Sequence, residues 1–204
     1  MADLAPPGHS ILVDAFAGVG GNTIAFAKSG EWKRVYAVEK DPIVLQCARH
    51  NAKVYGVENK ITWFEGDCFD ILRRQLKDLG PYSVLFASPP WGGRFQLFCP
   101  LVRRIYWLTF GFKKKKKKKG PAYRSDHIFD LHTMVPYSLH KLYSEFSAFS
   151  EHMVLYLPRT SDLRQLAKGV KDGHRALAMH YCMEGASKAL CIFYGGFRIN
   201  GIIE

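Results

Sequence analysis

No run of about eighteen apolar residues occurs along the 204-residue chain, so no bilayer-spanning helix is expected. The opening MADLAPPGHS lacks a basic stretch followed by an apolar one, and no secretory leader is expected. Cysteine is sparse and scattered. Cys47, Cys68, Cys99, Cys182 and Cys191 are odd in number and form no CxxC pair, which argues against a disulfide framework or a zinc site and for a reduced, intracellular protein. The histidines show no HxxxH spacing and no pairing with cysteine suited to a metal, so no metal is expected. No internal repeat is present, and the length suits one domain with a single core, 1–204.

Acidic residues are missing from one place in particular. Between Arg94 and Gly120 stand ten basic residues, seven of them the run Lys113 to Lys119, and no Asp or Glu. The net charge of +11 is therefore local: the rest of the chain holds 19 basic against 18 acidic residues. The segment 94–120 also lacks the periodicity of its surroundings. Two readings stand: a foreign stretch such as a translated intron, or a basic arm that contacts RNA phosphates.

What is present outside that segment is the alternation of an α/β protein. Short β-rich runs, Ile11 to Phe16, Arg34 to Glu39, Ile61 to Glu65 and Tyr82 to Ala87, alternate with helical stretches at Gly21 to Ser29, Pro42 to Tyr55 and Cys68 to Leu79. A helix from Leu139 to Phe149, a strand from Met153 to Leu157 and a helix from Ser161 to Val170, capped by Ser161 or Asp162, follow. Ala176 to Cys182 and Ala189 to Gly195 close the pattern as a hairpin. The expectation is a Rossmann-like, doubly wound, mostly parallel seven-stranded sheet with an antiparallel C-terminal hairpin.

The chemistry gathers where strands end. DAFAGVGGNT, residues 14 to 23, sets a glycine-rich turn between the first strand and its helix, where backbone can approach a ligand. The pattern is not the GxGxxG of dinucleotide enzymes. Asp14, four residues ahead of Gly18, would repel a diphosphate and suits a methionine ammonium. Glu39, ending the second strand, can accept from both ribose hydroxyls of an adenosine, and Asp67, after the third, from the adenine amino group. A single carboxylate after a strand is more often a solvated loop residue or a helix cap. Three at successive strand ends favour binding.

After the fourth strand comes Ser88-Pro89-Pro90-Trp91-Gly92-Gly93. Its prolines stiffen the turn and withhold amide donors, leaving carbonyls as the polar groups. An exocyclic amine needs such acceptors: Ser88 and the Pro89 carbonyl would hold its hydrogens and aim its lone pair at a methyl donor without a strong base. Trp91 would stack on the target base, with a cation–π gain of about 0.5–2 kcal/mol for a cationic 7-methylguanine. The competing reading is a turn that packs its tryptophan into the core.

DAFAGVGGNT, the helix containing NAKVYGV, SPPWGG and Leu157-Pro158-Arg159 together resemble the trimethylguanosine synthase family across nearly all of the chain outside 94–120. The resemblance implies a class I methyltransferase that moves a methyl from S-adenosylmethionine to N2 of a 7-methylguanosine RNA cap. It implies cofactor binding by Asp14, Phe16, Gly18, Gly20, Asn22, Thr23, Glu39, Asp67 and Ser88, a catalytic turn of Ser88, Pro89 and Trp91, and cap contacts by Trp91 and Arg159. Arg159 also suits bidentate phosphate binding. The implied partners are capped small nuclear and nucleolar RNAs, the implied place is the nucleus with some cytoplasmic protein, and a monomer is expected. The family carries a helical extension ahead of the first strand, which here begins at Ile11. The alternatives are an N-methyltransferase for guanine or adenine in ribosomal or transfer RNA, and a catalytically silent RNA-binding homologue.

Overall fold

The computed structural model describes Pro6 and residues 8–91, 128–170, 176–184 and 186–197; the segment 94–120 lies outside them. Seven strands, β1 (Ile11–Asp14), β2 (Arg34–Glu39), β3 (Ile61–Glu65), β4 (Ser83–Ala87), β5 (Met153–Pro158), β6 (Ala176–Met183) and β7 (Ala186–Tyr194), form one sheet in the order β3-β2-β1-β4-β5-β7-β6. The first five pair in parallel; β7 runs antiparallel to β5 and to β6. The sheet is thus the expected doubly wound one with its antiparallel C-terminal hairpin.

Alternation along the strands builds two layers. Leu12 and Val84 face the helices α1 (Gly21–Ser29) and α2 (Pro42–Val54), whose Ile24, Phe26 and Ala52 bury against them. Their neighbours Val13 and Leu85 face the other way, onto α3 (Cys68–Arg74), α4 (Leu139–Phe149) and α5 (Leu163–Ala167) through Phe69, Leu142, Phe146 and Leu166. Strands buried on both faces read as apolar runs for this reason.

Several boundaries differ from the sequence expectation. β1 ends at Asp14 rather than Phe16, where the chain turns; the Ala15 and Ala17 amides then bond Phe86 O and Val38 O on the flanking strands, both at 2.9 Å. α3 stops at Arg74 rather than Leu79: the amides of Gln75 and Leu76 both close on Ile71 O, at 2.9 and 3.1 Å, and Lys77–Tyr82 tightens into a 3-10 turn that contains Pro81. Only glycine fits at position 80, where a Cβ would sit 1.9 Å from Phe149 O. α5 spans only Leu163–Ala167, capped by Asp162 at Arg164 N, while Ser161 instead donates its hydroxyl to Pro158 O at 2.7 Å.

The strand order has one consequence for function. The chain winds outward from β1 to β3, then returns to place β4 on the other side of β1. The carboxyl ends of β1 and β4 therefore border the crevice where doubly wound sheets bind ligands.

Candidate active site

The turn from β1 into α1 is held from three directions. Besides the two amides bound to β4 and β2, the Asn51 side-chain amide on α2 donates to Val19 O at 2.9 Å. Gly18 and Gly20 have φ of 55° and 88°, the left-handed region that glycine enters without cost. At Gly20 a Cβ would also press to 3.3 Å on Ala48 and Ile24, so the glycine lets α1 and α2 pack closely.

Asp14 lies beneath this turn at 0% exposure. Thr23 donates its hydroxyl to Asp14 Oδ2 at 2.6 Å, and the Phe16 amide donates to Oδ1 at 3.3 Å. Burial nevertheless lifts the carboxyl from 3.8 to about 6; the bonds from Thr23 and Phe16 pull it down, and the charge of Glu39 adds to the rise. The site thus stores a carboxylate that gains from any cation brought to it.

Glu39, 7% exposed, closes the next strand. Its Oε2 accepts from Gly18 N and its Oε1 from Asp41 N, each at 2.9 Å. Asp41, the alternative acid at this strand end, is occupied as the cap of α2, accepting from Ile43 N and Val44 N. Asp67 caps α3 through Phe69 N at 3.0 Å, and its second oxygen accepts from the Tyr137 hydroxyl at 3.3 Å with Lys40 Nζ 3.8 Å away. Phe16 projects into the same region, its ring 5.9 Å from that of Tyr137.

At the end of β4, Ser88 is half-buried and Pro89 buried. Trp91 donates its indole hydrogen to Tyr156 O at 3.2 Å and lies 5.9 Å from the Tyr156 ring at 25°. The half-buried indole is thus anchored on β5 and also packs against the core. Arg159, exposed just past β5, donates to Ser187 O at 3.3 Å. Asn22 is half-buried in the first turn of α1.

Two bonded sets flank the first turn: Asp14 with Phe16 and Thr23, and Glu39 with Gly18. Asp67 follows Gly66, whose amide donates to Glu39 O at 3.0 Å and ties the end of β3 to that of β2. Trp91 and Arg159 occupy the β4 and β5 side. No local sequence pattern marks Tyr137, 70 residues from its partner Asp67, or Tyr156, 65 from Trp91. Among the described residues no three His, Cys, Asp or Glu side chains gather as metal ligands.

Comparison with known proteins gives a consistent picture. A family model described as RNA cap guanine-N2 methyltransferase matches residues 9–95 and 118–197, and the gap between its two blocks falls within 94–120. The trimethylguanosine synthase of Schizosaccharomyces pombe is 29% identical over 194 residues, 95% of this chain and 67% of that protein. Its Saccharomyces cerevisiae counterpart is 28% identical over 166 residues, 81% of this chain and 44% of that protein. The fold matches the O-methyltransferase TomG from Streptomyces achromogenes with a TM-score of 0.52 at 10% identity, covering 92% of this chain and 73% of that one.

Proposed function

The chain belongs to the RNA cap guanine-N2 methyltransferase family, and from that premise we propose how its residues carry S-adenosylmethionine-dependent methylation of N2 in 7-methylguanosine at the 5′ end of capped RNA. The observation that carries the reading is the meeting, at one sheet edge, of Asp14, Glu39 and Asp67 with the Ser88-Pro89-Pro90-Trp91 turn.

The residues fit the cofactor. Asp14 would receive the methionine ammonium, Glu39 the ribose hydroxyls and Asp67 the adenine amino group, each carboxylate oxygen keeping capacity for a further donor. Gly18 and Gly20 keep the turn low enough for close approach, with Phe16, Asn22 and Thr23 shaping its walls. When bound, the cofactor supplies an electrophilic methyl group on a sulfonium.

The protein's part is then positional. Ser88 Oγ and the Pro89 carbonyl accept the two hydrogens of the guanine amine and turn its lone pair toward the methyl. Trp91, anchored by Tyr156 O, stacks on the cationic base, and Arg159 takes a cap phosphate. The N–C bond forms as the methyl's bond to sulfur breaks, which leaves a neutral thioether, and water suffices to receive the amine proton. Capped small nuclear and nucleolar RNAs in the nucleus are the proposed substrates, acted on by a monomeric single domain interrupted at 94–120.

The test is methyl transfer from labelled S-adenosylmethionine to 7-methylguanosine-capped and uncapped RNA, by the full chain and by one lacking residues 94–120. Transfer that requires the cap supports the assignment, and transfer only after deletion marks the segment as foreign. Transfer to capped and uncapped RNA alike favours an internal-nucleoside enzyme. No transfer from either chain leaves a silent homologue.

A further inference from the structure

Tyr137 lies outside every motif that assigns function to this chain, yet it reaches the acid proposed to read adenine. Its hydroxyl donates to Asp67 Oδ2 at 3.3 Å. Its ring meets Phe69 edge-on at 5.0 Å and Phe16 at 5.9 Å, and Lys141 Nζ stands 5.4 Å over it and 4.9 Å over Phe69. The residue precedes α4, whose cap Ser138 and buried Leu139 hold the approach to that helix in place. A tyrosine placed by packing alone would not need to bring its hydroxyl to a carboxylate at the cofactor edge.

We propose that Tyr137 is a specificity-determining positioning residue: it holds Asp67 so that the carboxylate accepts an exocyclic amino group and rejects a carbonyl, selecting adenine over hypoxanthine in the cofactor. The proposal rests on the assignment of Asp67 to the adenine end. Among the described residues, the groups bonded or paired to that carboxylate are donors: Phe69 N on Oδ1, the Tyr137 hydroxyl and, at 3.8 Å, the Lys40 ammonium on Oδ2. Such a set leaves both oxygens of the carboxylate acting as acceptors. Burial, and then the charge of Asp67, push the Tyr137 hydroxyl up to about 12, so it remains a donor throughout the working range of pH. Adenine offers an N6 hydrogen to the fixed oxygen. Hypoxanthine offers a carbonyl oxygen at the same place, which a carboxylate repels.

The probes are S-adenosylhomocysteine and S-inosylhomocysteine, titrated calorimetrically against the full chain, Tyr137→Phe and Tyr137→Ala, with thermal melting to show that each variant is folded. Tyr137→Phe keeps the ring and removes only the hydroxyl. The expected result is an adenosine preference in the parent protein that shrinks by about three- to tenfold in Tyr137→Phe, the net scale of one ordinary hydrogen bond. Tyr137→Ala should weaken both ligands further, through loss of the wall. A full preference retained in folded Tyr137→Phe overturns the role of Tyr137 while leaving that of Asp67. Tighter adenosine binding in that variant also overturns it, since the hydroxyl would then be a competitor for Oδ2. Absence of any preference in the parent protein overturns the assignment of Asp67 itself, and this inference with it.

Discussion

The amide of Gly18 donates to Glu39 Oε2 at 2.9 Å, joining the first glycine turn to the end of the neighbouring strand across 21 residues. With Asp41 N on the other oxygen, Glu39 is held by two backbone donors before any ligand arrives. A carboxylate fixed in this way loses little freedom when ribose hydroxyls bind, and it also ties the turn in place.

Glu39→Gln should therefore weaken S-adenosylhomocysteine binding by at least about tenfold, because an amide is a poorer acceptor and turns an NH2 toward one of the two donors. Calorimetric titration measures the loss. Thermal melting should fall as well, since the Gly18 turn loses an anchor.

Asp14 carries a pH signature. Its folded carboxyl titrates at about 6 against an ordinary 3.8, so the folded state binds the proton more tightly. Its contribution to stability therefore falls as pH rises from 3.8 to about 6 and is level above. In urea unfolding, Asp14→Asn should gain on the parent by up to about 3 kcal/mol between roughly pH 4 and pH 7. A gap independent of pH contradicts the raised carboxyl.

The same group couples to the cofactor. If the methionine ammonium docks on ionised Asp14, affinity for S-adenosylhomocysteine should decline as pH drops below about 6, with proton release on binding. Asp14→Asn should bind more weakly and without that slope. Titrations in buffers of different ionisation enthalpy read the released proton directly.

Trp91→Ala should cost capped-RNA binding about 1–3 kcal/mol, the scale of one base stacked on an aromatic ring, while leaving S-adenosylhomocysteine affinity unchanged. Competition with 7-methylguanosine triphosphate against guanosine triphosphate isolates the base. Equal loss of cofactor and cap would place Trp91 in the core structure instead.

Arg159→Ala should weaken capped RNA at every sequence and lower the salt dependence of binding by about one unit of slope. Filter binding across a salt series checks both. Arg159→Lys should restore the slope but not the full affinity, because a lysine cannot grip a phosphate bidentately.

The extent to which all this could be read in advance follows the range of the interactions. Asp14, Gly18, Glu39 and Asp67 stood out because each ends a strand whose period is visible in the chain, and the SPPW turn because two prolines must break one. Tyr137 and Tyr156 did not, since their partners Asp67 and Trp91 lie 70 and 65 residues away. The C-terminal ends of α3 and α5 fall short of the expected Leu79 and Val170, since a 3-10 turn under Phe149 and the packing around α5 set them, while Asp162, one of the two caps expected, takes that role.

By itself the sequence determined the βα alternation, the left-handed glycine turn and the acids at strand ends, all set by torsional preference and apolar period over a few residues. Tertiary structure alone decided that β4 lies beside β1, and so that the SPPW turn borders the same crevice as Asp14. It also decided that Asp14 is buried, with a Thr23 hydroxyl on one oxygen and a carboxyl lifted to about 6. Strand order and burial are properties of the closed core, in which the free energy of each contact depends on elements distant in the chain.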